Sequence, residues 1–514
     1  MAEGGEPVDT GATPTDPPPT STSSSTDEPT VKSPVREDDP KGSELENDGS
    51  VEEEEGWDQE YERVKDKPCR VTELEVKGFQ RTKPDVVGRE LEEVRNATNL
   101  DEVKDELVKV IEAFEEMEVF KEIDVSLVEP LEDTPESCRV EFLVEEWPIF
   151  HGKASTFVQR NQGGVEGYLG IRNYFGRAER FRLSAECGSE RSTEYALEYF
   201  KPRVKGLPWS FDTRIFNNHH SCLTYSSFVE KLRGVSVGLR SSGGMHSLRY
   251  ELGWQHIIDP TNLASQPIQN QLGHKLRSAV SYTFLYNEIH PMIARPQSGF
   301  AARWHSELGG LHPSSQVSKY MKHRGDAEVA WPILPWASVS LSVAAGVMLP
   351  VGEGYMNKTT NISDRFFLGG IDSLRGFKYR GCGPSAPCRT VPDEEGRRRP
   401  EQQRRDTLGG DLLSALTCSL NFDLPGTAFK YAGIYGHVFC NVGNTMPLTG
   451  TNLSLKQSIR DFSSTYRSSA GLGLVWPTGW GTLEVNYVLP ITHSPHDRLH
   501  QGLQLGFAAK VFHS

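Results

Sequence analysis

A transmembrane β-barrel of about sixteen antiparallel strands, preceded by one small α+β domain and a disordered acidic tail, is the fold the sequence predicts. Three observations carry it. Beyond residue 148, strand-length segments that alternate apolar and polar residues recur to the end of the chain, with no helical pattern among them. No apolar run approaches the roughly 18 residues a membrane-crossing helix needs, whereas many segments have the roughly 9–11 residues of a tilted spanning strand. Charge divides the chain at the same place. Residues 1–148 hold 16 Lys and Arg against 43 Asp and Glu, a net of −27, while the whole chain is −15, so residues 149–514 carry +12. A strongly acidic arm on a mildly basic body places the two parts in different environments and disfavours nucleic acid as a partner.

Residues 1–60 read as a disordered acidic tail. Runs such as PTDPPPTSTSSSTDEPT and VEEEE leave almost nothing to bury. The N-terminus shows neither the basic-then-apolar pattern of a secretory signal nor the Arg-rich pattern of a matrix presequence, which argues against a secreted or bacterial origin.

Residues 68–148 form a domain in the order strand, helix, helix, strand, strand. CRVTELEVKGF alternates, although imperfectly; KPDVVGRELEEVRNA reads helical; and residues 100–120 repeat Val103, Leu107, Val110, Ile111, Phe114 and Met117 at helical spacing. EIDVSLVEPL and SCRVEFLVEEW then alternate again.

From residue 149 to 514, strands are expected to begin near Lys153, Val165, Glu179, Thr193, Trp209, Lys231, His246, Gly273, Gly299, Asp326, Ala337, Asp411, Tyr435, Arg467, Gly481 and His500. Leu248, Tyr250, Leu252 and Trp254 share one face and oppose Arg249, Glu251, Gly253 and Gln255; Val339, Leu341 and Val343 likewise oppose Ser338, Ser340 and Ser342. Charge on one face and apolar groups on the other suit lipid outside and water inside. A soluble sandwich shares that alternation, so the length of the array and the aromatic residues near strand ends decide for a barrel.

Two segments carry function. A loop at 350–410, between the eleventh and twelfth strands, contains FFLGGIDSLRGF at residues 366–377. A charged tip between spanning strands needs a wet place, and in a closed barrel that place is the lumen, where the guanidinium fork of Arg375 can meet polar groups on the inner wall. Gly376 lets the backbone turn sharply and Phe377 supplies a wedge, with Gly369 and Gly370 part of the same loop motif. The last strand reads HQGLQLGF, with polar His500, then Gly502, Leu505 and Phe507.

The loop and its flank, ISDRFFLGG leading into SLRGF, resemble the lumenal loop of the outer-membrane barrel-assembly superfamily, closest to the mitochondrial sorting and assembly branch. HQGLQLGF resembles the sorting signal of mitochondrial outer-membrane barrels, and residues 68–148 resemble one polypeptide-transport-associated (POTRA) domain. The resemblance implies a barrel that inserts and assembles β-barrel precursor proteins in the mitochondrial outer membrane through a lateral seam between its first and last strands, with the POTRA-like domain in the intermembrane space. Implied partners are barrel precursors, accessory subunits and the lipid bilayer. Bacterial relatives hold the loop arginine with acids; the matching positions here are Asn421 and Asn441, while the nearby acids Asp423 and Glu484 could restore an anion, which leaves four candidate inner-wall partners for Arg375. A plastid-envelope or bacterial translocating barrel of the same superfamily, or a passive channel, are the rival readings.

No enzyme, cofactor or metal site is expected. The G-x-S-x-G at Ser236 runs strand to turn to strand, without the helix a nucleophile elbow requires. His219 and His220 lack a third ligand nearby, and the Arg-rich run at 397–405 reads as a solvated insertion. Eight cysteines are scattered without metal-ligand spacing; Cys382 and Cys388 flank one short loop segment and could pair in an oxidising space.

Overall fold

Strand β1 (Arg70–Lys77) leads into helix α1 (Pro84–Arg95), which starts with Pro84 and Asp85, residues that suit a helix N-terminus. Val87, Leu91 and Val94 recur at 3.6-residue spacing and bury one stripe. Helix α2 (Leu100–Met117) does the same with Val103, Leu107, Val110, Phe114 and Met117, and ends where Glu118 turns left-handed at φ 50°. Strands β2 (Phe120–Val128) and β3 (Ser137–Glu146) complete a sheet ordered β1-β3-β2, with β1 parallel and β2 antiparallel to β3. Both helical stripes meet Val140, Phe142 and Val144 of β3 in one core.

The computed structural model describes residues 68–128, 137–159, 162–188, 190–290, 295–313, 317–352, 359–389, 404–448, 455–478 and 481–508. The expected tail at 1–60 lies outside them.

Sixteen strands follow in one antiparallel sheet. They are β4 (Phe150–Gln159), β5 (Gln162–Arg172), β6 (Arg180–Gly188), β7 (Thr193–Lys201), β8 (Trp209–Ser221), β9 (Val229–Ser241), β10 (His246–Ile258), β11 (Gly273–Asn287), β12 (Gly299–Gly309), β13 (Tyr320–Leu334) and β14 (Ala337–Pro350). A short pair, β15 (Ser385–Pro387) and β16 (Arg405–Thr407), lies apart in the long loop after β14. The large sheet resumes with β17 (Leu412–Asp423), β18 (Tyr435–Met446), β19 (Arg467–Thr478), β20 (Gly481–Thr492) and β21 (Gly502–Ala508). Each strand pairs with its sequence neighbours, and β14 pairs with β17 across the loop. The sheet curls until its edges β4 and β21 approach each other, yet among the described residues no backbone ladder joins them.

The sixteen expected strands are the sixteen observed, with one start displaced by six residues: Tyr320 rather than Asp326 opens β13. The run Lys322, His323, Arg324 hides the period there. Lys322 turns inward and donates to the Asp364 carbonyl oxygen at 2.7 Å, while His323 is held from β12 by Ser306 at 2.8 Å. Outward positions form an apolar belt that includes Leu183, Leu197, Ile215, Leu248, Leu252, Trp254, Trp304, Leu416, Leu472 and Tyr487, all exposed. Inward neighbours such as Gln255, Ser340 and Asn486 are buried. Ser236 pairs in mid-strand within β9, which is followed by a three-residue 3-10 turn (Ser242–Gly244) and then β10 rather than by an α-helix.

The small α+β unit is fastened to the barrel. Ala178, in the β5–β6 turn, is part of the small unit's core. Asn173 Nδ2 donates to Thr82 Oγ1 at 2.8 Å, and the Lys83 amide to the Gly176 carbonyl at 2.9 Å. Arg203, between β7 and β8, pairs with Glu90 of α1 at 2.5 Å and Glu116 of α2 at 3.2 Å. Behind this joint the Glu146 carboxylate accepts from the backbone amides of Gln80, Arg81 and Thr82 at 2.9–3.1 Å and from Arg81 Nε at 3.0 Å. Burial alone would raise this carboxyl, but the hydrogen bonds from Thr82, Arg81 and Gln80 outweigh it and hold it below the usual carboxylate range.

Candidate functional site

The long loop after β14 is built around an apolar knot. Phe366 exchanges backbone hydrogen bonds with Gly410 at 2.8–2.9 Å, and the Cys382 amide donates to the Leu368 carbonyl at 3.0 Å. Gly370, at φ 114°, bonds Leu374 and closes a tight turn. These constraints bring Phe366, Leu368, Leu374, Phe377 and Cys382 together with Met348, Leu413 and Ala415 on the barrel wall. Cys382 is thus a buried free thiol, and Cys388, also free, donates to Asp406 Oδ1 at 3.1 Å.

From this knot the tip reaches strands β18 to β21. Arg375 Nε and Nη2 each meet a Glu484 oxygen at 2.9 Å, a fork-to-fork pair. Its guanidinium also lies 5.0 Å from the centre of the Phe439 ring. Glu484 is held in turn: Asn486 Nδ2 donates to Oε2 at 2.8 Å, which directs Asn486 Oδ1 at His437 Nε2, 2.6 Å away, so that nitrogen carries the proton. The Arg375 carbonyl accepts from Ser469 Oγ at 2.6 Å. Gly376 has φ 85°, and a Cβ there would stand 2.9 Å from Val488 Cγ1, so a side chain would strain the backbone and force the tip or the wall to shift.

The tip also grips the edge strand. The Gly376 amide donates to Gln504 Oε1 at 3.1 Å, the His500 amide to the Gly376 carbonyl at 2.9 Å, and the Lys378 amide to the Arg498 carbonyl at 2.9 Å. Ile371 of the loop fills the space over Gly506, where an added Cβ would come within 2.5 Å of Ile371 Cδ1. The inner face of β21 is therefore covered by the loop, while Leu503 and Leu505 stand exposed on its outer face. Gly502 opens the strand at φ 95°, and Phe507 is half-buried.

The four wall candidates separate. Glu484 meets Arg375; Asn421 Nδ2 donates instead to Ser340 Oγ at 2.9 Å, and Asp423 pairs with Arg295 at 2.7 Å. Asn441 is fully buried, and neither of its side-chain polar atoms has a partner among the described residues.

Sequence reasoning missed a second anchor, at the base of the loop. Arg277 on β11 donates to Asp364 Oδ1 and to Glu307 Oε1, both at 2.6 Å, and stands 3.0 Å from Glu251 Oε1. Tyr320 Oη adds a hydrogen bond to Glu307 at 2.5 Å. Asn361 Nδ2 reaches Gln255 Oε1 at 2.9 Å, and Lys275 Nζ reaches Asn361 Oδ1 at 3.0 Å. The available signal was the alternation of Lys275 and Arg277 on β11, which puts two cations in the lumen with no anion on their own strand. Among the described residues no group of three His, Cys, Asp or Glu is arranged to hold a metal ion.

Residues 173–510 match the model of the Omp85 superfamily domain. The sorting and assembly machinery component 50 homolog of Xenopus tropicalis is 29% identical over 456 residues, covering 87% of this chain and 91% of that protein. Its Homo sapiens counterpart is 27% identical over 458 residues, with coverages of 87% and 91%. Among solved structures, BamA from Haemophilus ducreyi lacking POTRA domains 1–3 shares the fold, with a TM-score of 0.65 at 18% identity over 85% of this chain and 83% of that one.

Proposed function

The chain belongs to the Omp85 superfamily, and we propose that it inserts and assembles β-barrel precursors in the mitochondrial outer membrane, acting as a sorting and assembly subunit. The observation that carries this reading is the seam. A sheet of sixteen strands ends in two edges, β4 and β21, that approach, among the described residues, without a ladder between them. Unpaired backbone groups cost several kcal/mol each in hydrocarbon, so a nascent barrel resists entering the membrane strand by strand. An edge that can open lends it partners and lowers that barrier. No covalent chemistry is needed.

Residues 1–60 serve as the acidic tail, 68–148 as a POTRA-like domain in the intermembrane space, and 149–514 as the membrane barrel. The element order of the small unit and its attachment at the β5–β6 and β7–β8 turns support that division. Among the described residues its sheet ends in two edges, β1 and β2, either of which can add a strand from a precursor. Arg375, with Gly376 and Phe377, fixes the loop in the lumen, and the pairing with Glu484 supports that role. Accessory subunits complete the complex.

A stalled precursor carried by the full-length protein tests the seam. Photo-crosslinking side chains at residues 153–156 of β4 and 503–507 of β21 should capture it, whereas the same side chain on β11 should not. Equal capture at all three strands would sink the lateral route. A passive channel predicts instead an open lumen whose conductance is unchanged when residues 368–377 are deleted.

A further inference from the structure

Two thiols of the small α+β unit meet across its sheet. Cys69 stands one residue before β1, and Cys138 is the second residue of β3. Both are free and half-buried, and their sulfurs lie 2.8 Å apart, with Cys69 donating to Cys138. A disulfide bond is about 2.0 Å long, so closing one asks each sulfur to move by about 0.4 Å.

The backbone on both sides is held. The Cys69 amide donates to the Thr98 carbonyl at 2.9 Å, Pro68 bridges to Asn99 in the α1–α2 connection, and Arg70 and Val71 sit in register with Ser137 and Cys138 of the parallel strand β3. Thr72 Oγ1 adds a hydrogen bond to the Cys138 carbonyl at 3.4 Å. The sheet and the helix connection, rather than one flexible side chain, therefore set the approach of the two sulfurs. Cys382 and Cys388, the pair that nearness in sequence suggests, are engaged separately: Cys382 is packed into the apolar knot of the lumenal loop, and Cys388 donates to Asp406.

We propose that Cys69 and Cys138 form a thiol–disulfide exchange site whose substrate is a small disulfide of the oxidised-glutathione class. Burial, and then the hydrogen bond with Cys69, push the Cys138 thiol up to about 12, so at neutral pH Cys69 makes the first attack. The Cys69 sulfur bonds one glutathione sulfur, the glutathione disulfide breaks, and the departing glutathione takes up through water the proton that Cys69 gave. Cys138, already in contact, then attacks the Cys69 sulfur, and its proton passes to the second glutathione as that leaves. Two protein thiols are oxidised to one disulfide, and one glutathione disulfide is reduced to two thiols. The new bond joins positions 69 residues apart, so α1, α2 and β2 lie inside the loop it closes, and a cross-link over so long a loop restrains the unfolded chain strongly. Edge strand β1 is thereby pinned to the centre of its sheet.

Full-length protein in detergent, equilibrated with mixtures of reduced and oxidised glutathione, then acid-quenched, alkylated and digested, tests this by mass spectrometry. A peptide linked through Cys69 and Cys138 should accumulate as the oxidised share rises. Its proportion should exceed by about tenfold or more that found for the same chain in urea, where no sheet aligns the two sulfurs. Cys138→Ser should instead hold glutathione on Cys69, because the thiol that displaces it is gone. Oxidation of the wild type should slow backbone hydrogen exchange in residues 70–77 by about tenfold or more, and reduction should reverse it. A linked peptide no more abundant in the folded protein than in urea, or equal exchange in the two redox states, overturns the proposal.

Discussion

Gly376 and Gln504 join the lumenal loop to the barrel's last strand: the glycine amide donates to the glutamine side-chain oxygen at 3.1 Å, both groups buried. The strand that forms one lip of the seam is thereby read from inside by the loop tip. Gln504→Leu leaves that amide unsatisfied, at about 1–3 kcal/mol. Hydrogen exchange measured by mass spectrometry should rise in residues 498–508 and 374–378 together, with β10 and β11 unchanged. Exchange rising in the strand alone would show that the two do not move as one.

Arg375→Ala strands Glu484 in a buried site with Asn486 as its remaining partner. Breaking such a pair costs about 3–5 kcal/mol, whereas replacing both members by apolar groups costs less. The denaturant midpoint of the barrel should therefore fall more for Arg375→Ala than for Arg375→Leu combined with Glu484→Leu, and precursor assembly should fall in both.

At the loop base, Asp364→Ala frees Arg277 from its loop contact but leaves it Glu307 and Glu251. The barrel should keep its heat-modifiable migration while residues 359–368 become sensitive to added protease. Unchanged protection would mean that the apolar knot alone holds the base.

Glu146 is held below the ordinary carboxylate value of 4.5 by the amides it accepts from. A depressed folded pKa stabilises at pH above the unfolded value and loses that contribution as pH falls through the folded value. Rate-corrected hydrogen exchange at residues 80–83 should therefore be slow and flat above about pH 5 and accelerate on acidification below 4.5. Glu146→Gln should show the fast rate at every pH.

Leu505 projects outward from β21 at 66% exposure. Leu505→Lys should cost about 2–4 kcal/mol at mid-bilayer depth, read as a lower denaturant midpoint of the membrane-inserted barrel, whereas Leu505→Met, which keeps the site apolar, should leave the midpoint unchanged.

The strands were legible because each has lipid on one side and packed polar groups on the other, and a two-residue period records that directly. Lys322, His323 and Arg324 blurred one start because three consecutive polar residues erase the period, although the backbone alternates through them. Glu484 stood among four wall candidates for a different reason. Which wall group receives Arg375 depends on how far the tip travels across the lumen, a distance no local pattern encodes. Asp364 was harder still, since an acid in an aperiodic loop gains meaning only once Arg277 is known to lie opposite it. The contact of Ile371 with Gly506 belongs to the same class: a missing side chain on one strand becomes a socket only when a loop enters it.

Ala178 belongs by sequence to a barrel turn and by packing to the core of the small α+β unit. A module hung on a flexible linker would sample a broad volume, and a peptide captured on its sheet would meet the barrel mouth at a concentration set by chain statistics. With a barrel residue inside its core, the unit has no such freedom. On the function proposed above, a strand added to its edge keeps a set distance and heading from the barrel, so hand-over becomes a matter of geometry rather than search, and lengthening the connection between β3 and β4 would not undo the packing of Ala178.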